Sequence, residues 1–140
     1  MARLKRVREV EMQFIRATPG GIAVLTLVQR PARFMTLGAA ERAFAEQVAA
    51  ETAPNTLASC SAILGTGFWV ATARSVIAGV QLLARTNHPQ TVVSSVAEAA
   101  TWLAPHVKRA DGSHPSVAEL IRAIDDVVGT TSKAGAALAV

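Results

Sequence analysis

The chain has 140 residues, 51% of them hydrophobic and 17% charged, which is the length of one domain with a core of its own and excludes a disordered body. Two Trp, four Phe and no Tyr argue against a surface built for stacking bases, and the single Cys60 excludes an internal disulfide. The formal net charge is +4, no apolar run reaches membrane-spanning length, and no apolar segment directly follows the first charges as in a secretory signal, so a cytoplasmic location is expected.

Arg3, Lys5, Arg6 and Arg8 against Glu9 place most of the excess charge at the start of the chain. Residues 1–6 are therefore expected to form a solvated basic arm, with a grip on nucleic acid through counterion release as a lesser alternative. From Val7 to Ile15, Val10, Met12 and Phe14 alternate with Glu9, Glu11 and Gln13, the pattern of a half-exposed edge strand. Thr18-Pro19-Gly20-Gly21 reads as a hairpin turn. Ile22 to Val28, an almost unbroken apolar run, reads as a strand buried on both faces, so the two strands together predict a β-hairpin.

Thr36 then caps a helix to about Thr52, with Leu37, Ala40, Phe44 and Val48 on one stripe. Thr56 to Leu64 is the next strand; its Ala and Ser residues suit helices packed closely above and below. After Gly65-Thr66-Gly67, a helix from about Trp69 to Arg85 buries Val76, Ile77, Val80, Leu83 and Ala84. Gln90 to Ser94 holds a short strand. Ser95-Val96-Ala97-Glu98 has the capping-box pattern and opens a helix burying Ala99, Trp102 and Leu103. Residues 105–115 read as a linker, the second quartet Ser116-Val117-Ala118-Glu119 opens an extra helix over 116–128, and 129–140 reads as a flexible tail. The order ββαβαβα plus one helix predicts an α/β domain over residues 7–104 with a mostly parallel four-stranded sheet.

The strand, glycine turn and helix start from Ile63 onward aim unpaired N–H groups and a positive helix end at whatever lies above. Gly65, Thr66 and Gly67 are thus the centre of the expected site, although they lack the Gly-Lys-Ser/Thr ending of a P-loop. Phe68 and Trp69 are adjacent and cannot both face the core from one helical turn. Either one is an exposed contact or both are buried at the sheet's end. Arg74 is the polar mark beside them. His88, His106 and His114 with Cys60 fit no zinc spacing, and no Ser sits in a nucleophile elbow. Neither a metal, a cofactor nor an enzymatic activity is expected.

Phe68-Trp69-Val70-Ala71-Thr72-Ala73 resembles the strand-to-helix segment of STAS domains, the anti-sigma-factor antagonists, where an apolar-Asp-Ser-Ser/Thr-Gly run carries a phospho-acceptor. Thr72 falls on the acceptor, Val70 on the Asp and Ala73 on the Gly. Val92 to Leu103, with Glu98-Ala99 and Trp102-Leu103, is similar to the closing strand and helix of the SpoIIAA-like branch. The resemblance spans about residues 7–104. It implies a regulatory module that binds another protein, with Thr72 as a site for phosphorylation by a regulatory kinase. The apolar stripe of the short helix over 116–128 needs burial, on the domain or by self-association. Gly65 to Arg74 would form the contact corner. A small anion or a lipid-like molecule held above the glycine turn is the alternative.

Overall fold

The computed structural model describes residues 2–29, 38–83 and 86–137. They form α1 (Ala2–Ala17), β1 (Ile22–Val28), α2 (Ala39–Thr52), β2 (Thr56–Ile63), α3 (Phe68–Leu83), β3 (Gln90–Val93), α4 (Val96–Leu103) and α5 (Val117–Ala137). Single 3₁₀ turns at Ala53–Asn55 and Ala104–His106 follow α2 and α4. The three strands make one sheet in the order β1-β2-β3, and both pairings are parallel. The expected α/β class is present. The expected fourth strand and hairpin are not.

The segment expected as an edge strand is the body of α1. Its half-buried residues Leu4, Arg8, Glu11, Met12 and Ile15 recur at helical spacing, and Arg, Lys, Glu, Met and Leu are strong helix formers. The short alternation of Val10, Met12 and Phe14 was compatible with both periods. The basic arm belongs to this helix: Arg6 meets Glu9 at 3.3 Å, and Arg8 grips Glu51 of α2 through Nε (2.7 Å) and Nη2 (2.5 Å). Thr18 to Gly21 therefore joins a helix to a strand. Gly21 has φ +91° and lies against Asn55 and Leu57, where only a residue without Cβ fits.

β1 has the expected bounds, yet only Val28 is fully buried and Thr26 is exposed. It is an edge strand, with β2 as its neighbour in the sheet. In the central strand β2, Ala58, Cys60 and Ala62 point to one face with almost no exposure. Cys60 and Ala62 meet Ala99 and Leu103 of α4, joined by Leu25, Leu27 and Val93. Alanine on both sides lets α4 approach the sheet closely, and α5 leans on α4 through Leu120. On the other face Val28, Ile63 and Val92 pack under Val70, Ala73 and Ile77 of α3.

Both quartets start helices, but only the second closes a full capping box. Ser95 Oγ accepts from Glu98 N–H (3.1 Å), while the Glu98 carboxylate takes the N–H of Ser94, one residue before the cap (3.1 Å). Ser116 Oγ accepts from Glu119 N–H, and Glu119 accepts in return from the Ser116 N–H at 2.8 Å. The Ser116 N–H, the Ser116 hydroxyl, which also donates to this carboxylate at 2.8 Å, and Arg109 beside them draw the Glu119 carboxyl pKa down to about 2. The extra helix does not stop at 128 but continues through Ala137, so most of the expected tail is helical; once nucleated, a helix extends at little cost per residue. Residues 105–115 bend back on themselves, with Arg109 N–H donating to Ser113 O and His114 Nδ1 to Val107 O. α2 starts after Gly38, whose N–H is held by Glu41 (3.1 Å); the expected cap Thr36 and Leu37 lie outside the described residues, as do Ala84 and Arg85 at the end of α3.

Gly21→Ala should cost about 1–3 kcal/mol, because its Cβ would sit 2.9 Å from Asn55 O at a positive φ. Gly20→Ala, with nothing within 4 Å of the new Cβ, should change stability by less than about 0.5 kcal/mol. Urea unfolding midpoints of the two variants provide the comparison.

Candidate functional site

β2 ends by passing the Leu64 N–H to Val28 O (3.0 Å). Gly65 and Gly67, both at φ +102°, then turn the chain into α3. This is the expected glycine corner, and Gly65, Thr66 and Gly67 are all exposed. Arg74 does not stand out as an anchor for a partner. Its guanidinium folds back under the turn and donates to Ile63 O from Nε (3.3 Å) and Nη2 (2.8 Å), and to Gly65 O from Nη2 (3.1 Å). The corner is closed by its own arginine. Thr72 is half-buried and its hydroxyl donates to Phe68 O at 2.9 Å.

Both aromatics face solvent: Phe68 is 76% and Trp69 60% exposed, and their rings meet edge to face at 5.7 Å. They lie in the first turn of α3, beyond the end of the strand that would have covered them. Val76, expected in the core, is 44% exposed, and Leu82 is 87% exposed. Arg74 is the one ionisable side chain in the whole of α3. With it turned inward, the outer side of this helix carries no charge.

A second place was not foreseen. α2 rests mainly on α1, and between this pair and the sheet lies a partly open cleft of about 350 Å3. Its floor is set by strand register. Val24, Ser59 and Gln90 form one row across the sheet, and Thr26, Ser61 and Val92 the next. Polar residues thus occupy half of a face whose far end, Val28 and Ile63, is apolar. His88, just before β3, places Nε2 2.9 Å from Ser59 Oγ and 3.3 Å from Gln90 Nε2. The Gln90 amide nitrogen can only donate, so Nε2 is the acceptor and Nδ1 carries the proton. Burial holds the His88 pKa below its ordinary value, in keeping with a neutral ring. His88 Nδ1 and Gln90 Oε1 are buried and have no hydrogen-bond partner among the described residues.

On the α1 side of the same cleft is Glu11. Burial raises its carboxyl pKa, and no basic group among the described residues offsets this. Ser59 with His88 is the hydroxyl–imidazole pair that can activate a nucleophile, but no carboxylate orients Nδ1.

The other residues weighed as ligands are dispersed. Cys60 points to the α4 face, with its thiol pushed up to about 11 by burial. His106 packs on Trp102 at 4.6 Å, and His114 bonds Val107 O. Among the described residues, no three His, Cys, Asp or Glu side chains gather as a metal site, and no helix is long and apolar enough to cross a membrane. Sequence reading missed Ser59, Ser61, His88, Gln90 and Glu11 as a group. The available signal was two serines at alternate positions of a central strand, hydroxyls on a face that apolar residues usually fill.

Two outcomes follow. Arg74→Met should cost about 1–3 kcal/mol, since it strips the donors from two carbonyls at the turn; thermal unfolding measures this. Glu11→Gln should stabilise the protein at pH 7. The folded-state pKa of Glu11 is raised, so its ionisation opposes folding as pH climbs through that value, and the two proteins should converge by pH 3, where the carboxyl is protonated in both states. Urea midpoints across that range test the sign.

The chain matches no family model, no curated protein and no solved structure.

Proposed function

We propose that this chain is an interaction module without chemistry of its own, and that its docking surface is the outer side of α3. The uncharged face left when Arg74 turns inward carries this reading. Soluble monomers seldom expose a contiguous apolar patch, and large aromatics at such a patch tend to anchor an interface.

The occupant is a second copy of the chain. Phe68, Thr72, Ser75, Gly79 and Leu82 fall on one stripe at spacings of four and three. The large residues stand at its two ends and the small ones between, with Ser75 at the midpoint. An antiparallel copy related by a two-fold axis at Ser75 sets Phe68 against Leu82 of the other chain. It also closes the small middle, buries no charge and opposes the helix dipoles. The sequence resemblance of Phe68 to Ala73 and of Val92 to Leu103 to STAS regulators supports a switchable module. Thr72, at the phospho-acceptor position, lies inside the stripe, where a dianion added by a kinase would force the pair apart. Working inside the cell suits such a switch.

Sedimentation velocity over a concentration series tests this. Wild type should dimerise, and Leu82→Glu should weaken the dimer at least about tenfold, or ~1.4 kcal/mol. Thr72→Glu should act in the same direction. A wild type that stays monomeric, or a dimer that Leu82→Glu leaves intact, would sink the proposal.

A further inference from the structure

We infer that the cleft between the sheet and the α1–α2 pair binds a small amphipathic amine. This site is separate from the α3 surface, since neither Phe68, Trp69 nor Leu82 lines it. Its volume of about 350 Å3 is at the small end of ligand pockets. Among the described residues, three of its polar groups have no partner, and each dictates part of the guest. Glu11 lines the cleft with no cation among the described residues beside it, so the guest brings positive charge. Gln90 Oε1 offers a second acceptor, which a primary ammonium with its three donors can also meet. His88 Nδ1 offers one N–H, fixed as a donor by the bond between Nε2 and the Gln90 amide. It asks for an acceptor on the guest close to the amine.

The remaining walls decide the rest of the molecule. Val7 of α1 and Phe44 and Val48 of α2 face the cleft, so the body of the guest is apolar. An anionic guest would meet Glu11 with like charge. A neutral one would leave that half-buried carboxylate without a countercharge from the guest. The polar floor also explains why Ser59 and Ser61 stand where a strand of this kind would ordinarily carry Val or Ile.

Titration of the full chain with 2-amino-1-phenylethanol, 1-phenylethane-1,2-diol and 3-hydroxy-3-phenylpropanoate, which share a hydroxyl acceptor beside the ring and differ in charge, followed by amide chemical shifts, tests the charge selection. The amine should bind best of the three and move the signals of Glu11, Ser59, His88 and Gln90. Glu11→Gln should weaken it at least about tenfold, and Gln90→Met, which keeps the side chain's shape, should weaken it several-fold. Val48→Trp, which fills the cleft, should abolish binding while the dispersed spectrum persists. Equal binding of the diol or the carboxylate, amine binding indifferent to Glu11→Gln, or shifts confined to other residues would overturn the inference. So would the absence of binding by all three probes.

Discussion

A β-strand that ends above its neighbours leaves carbonyl groups with no partner in the sheet, and a turn into a helix leaves more. At the end of β2 one guanidinium meets this need, because Arg74 reaches both Ile63 O and Gly65 O from a single helical position. Two glycines at positive φ bring those carbonyls within its reach. The same bonds tie the sole charge of α3 back against the turn, half-buried, and away from the helix's outer side. Local satisfaction of the backbone and the chemistry of the exterior are thus one event, and the apolar outer helix is its by-product.

The two faces of the sheet are packed by different rules. On one, Cys60 and Ala62 meet Ala99 and Leu103 of α4 through small side chains. On the other, α3 packs on the apolar end of the strands and touches the polar end through Gln81, whose amide donates to Ser61 Oγ (3.4 Å), while α2 leans on α1. A domain of this size can tolerate such imbalance because the close face already supplies a core. The open half of the other face is where the polar groups gather, Ser59 on His88 and Ser61 on Gln81.

Much of the order was readable in the sequence. The bounds of β2 and β3, the start of α4 at Ser95 and that of α5 after Ser116 followed from strand-length runs and Ser-x-x-Glu pairs, which are local signals. The first segment misled because six alternating residues satisfy a period of two while the wider window satisfies 3.6. Phe68 and Trp69 were visible as neighbours that could not both be buried, but the direction of Arg74 depends on a carbonyl eleven residues earlier. The cleft was invisible for a stronger reason. Ser59 and His88 are 29 residues apart, Glu11 is further still, and only strand register and the lean of α1 on α2 bring them to one cavity.

The bond between Arg8 and Glu51 has a bearing on access. It is the ion pair that ties the two roof helices of the cleft together, and both side chains remain about one-third exposed. Dissolved salt reaches such a pair and screens it, whereas the apolar seams beneath α3 and α4 are indifferent to moderate ionic strength. Ionic strength should therefore act on this protein as a local control. It would loosen the roof while the sheet and its close-packed face stay as they are, so that the cleft opens more freely in brine than in dilute buffer.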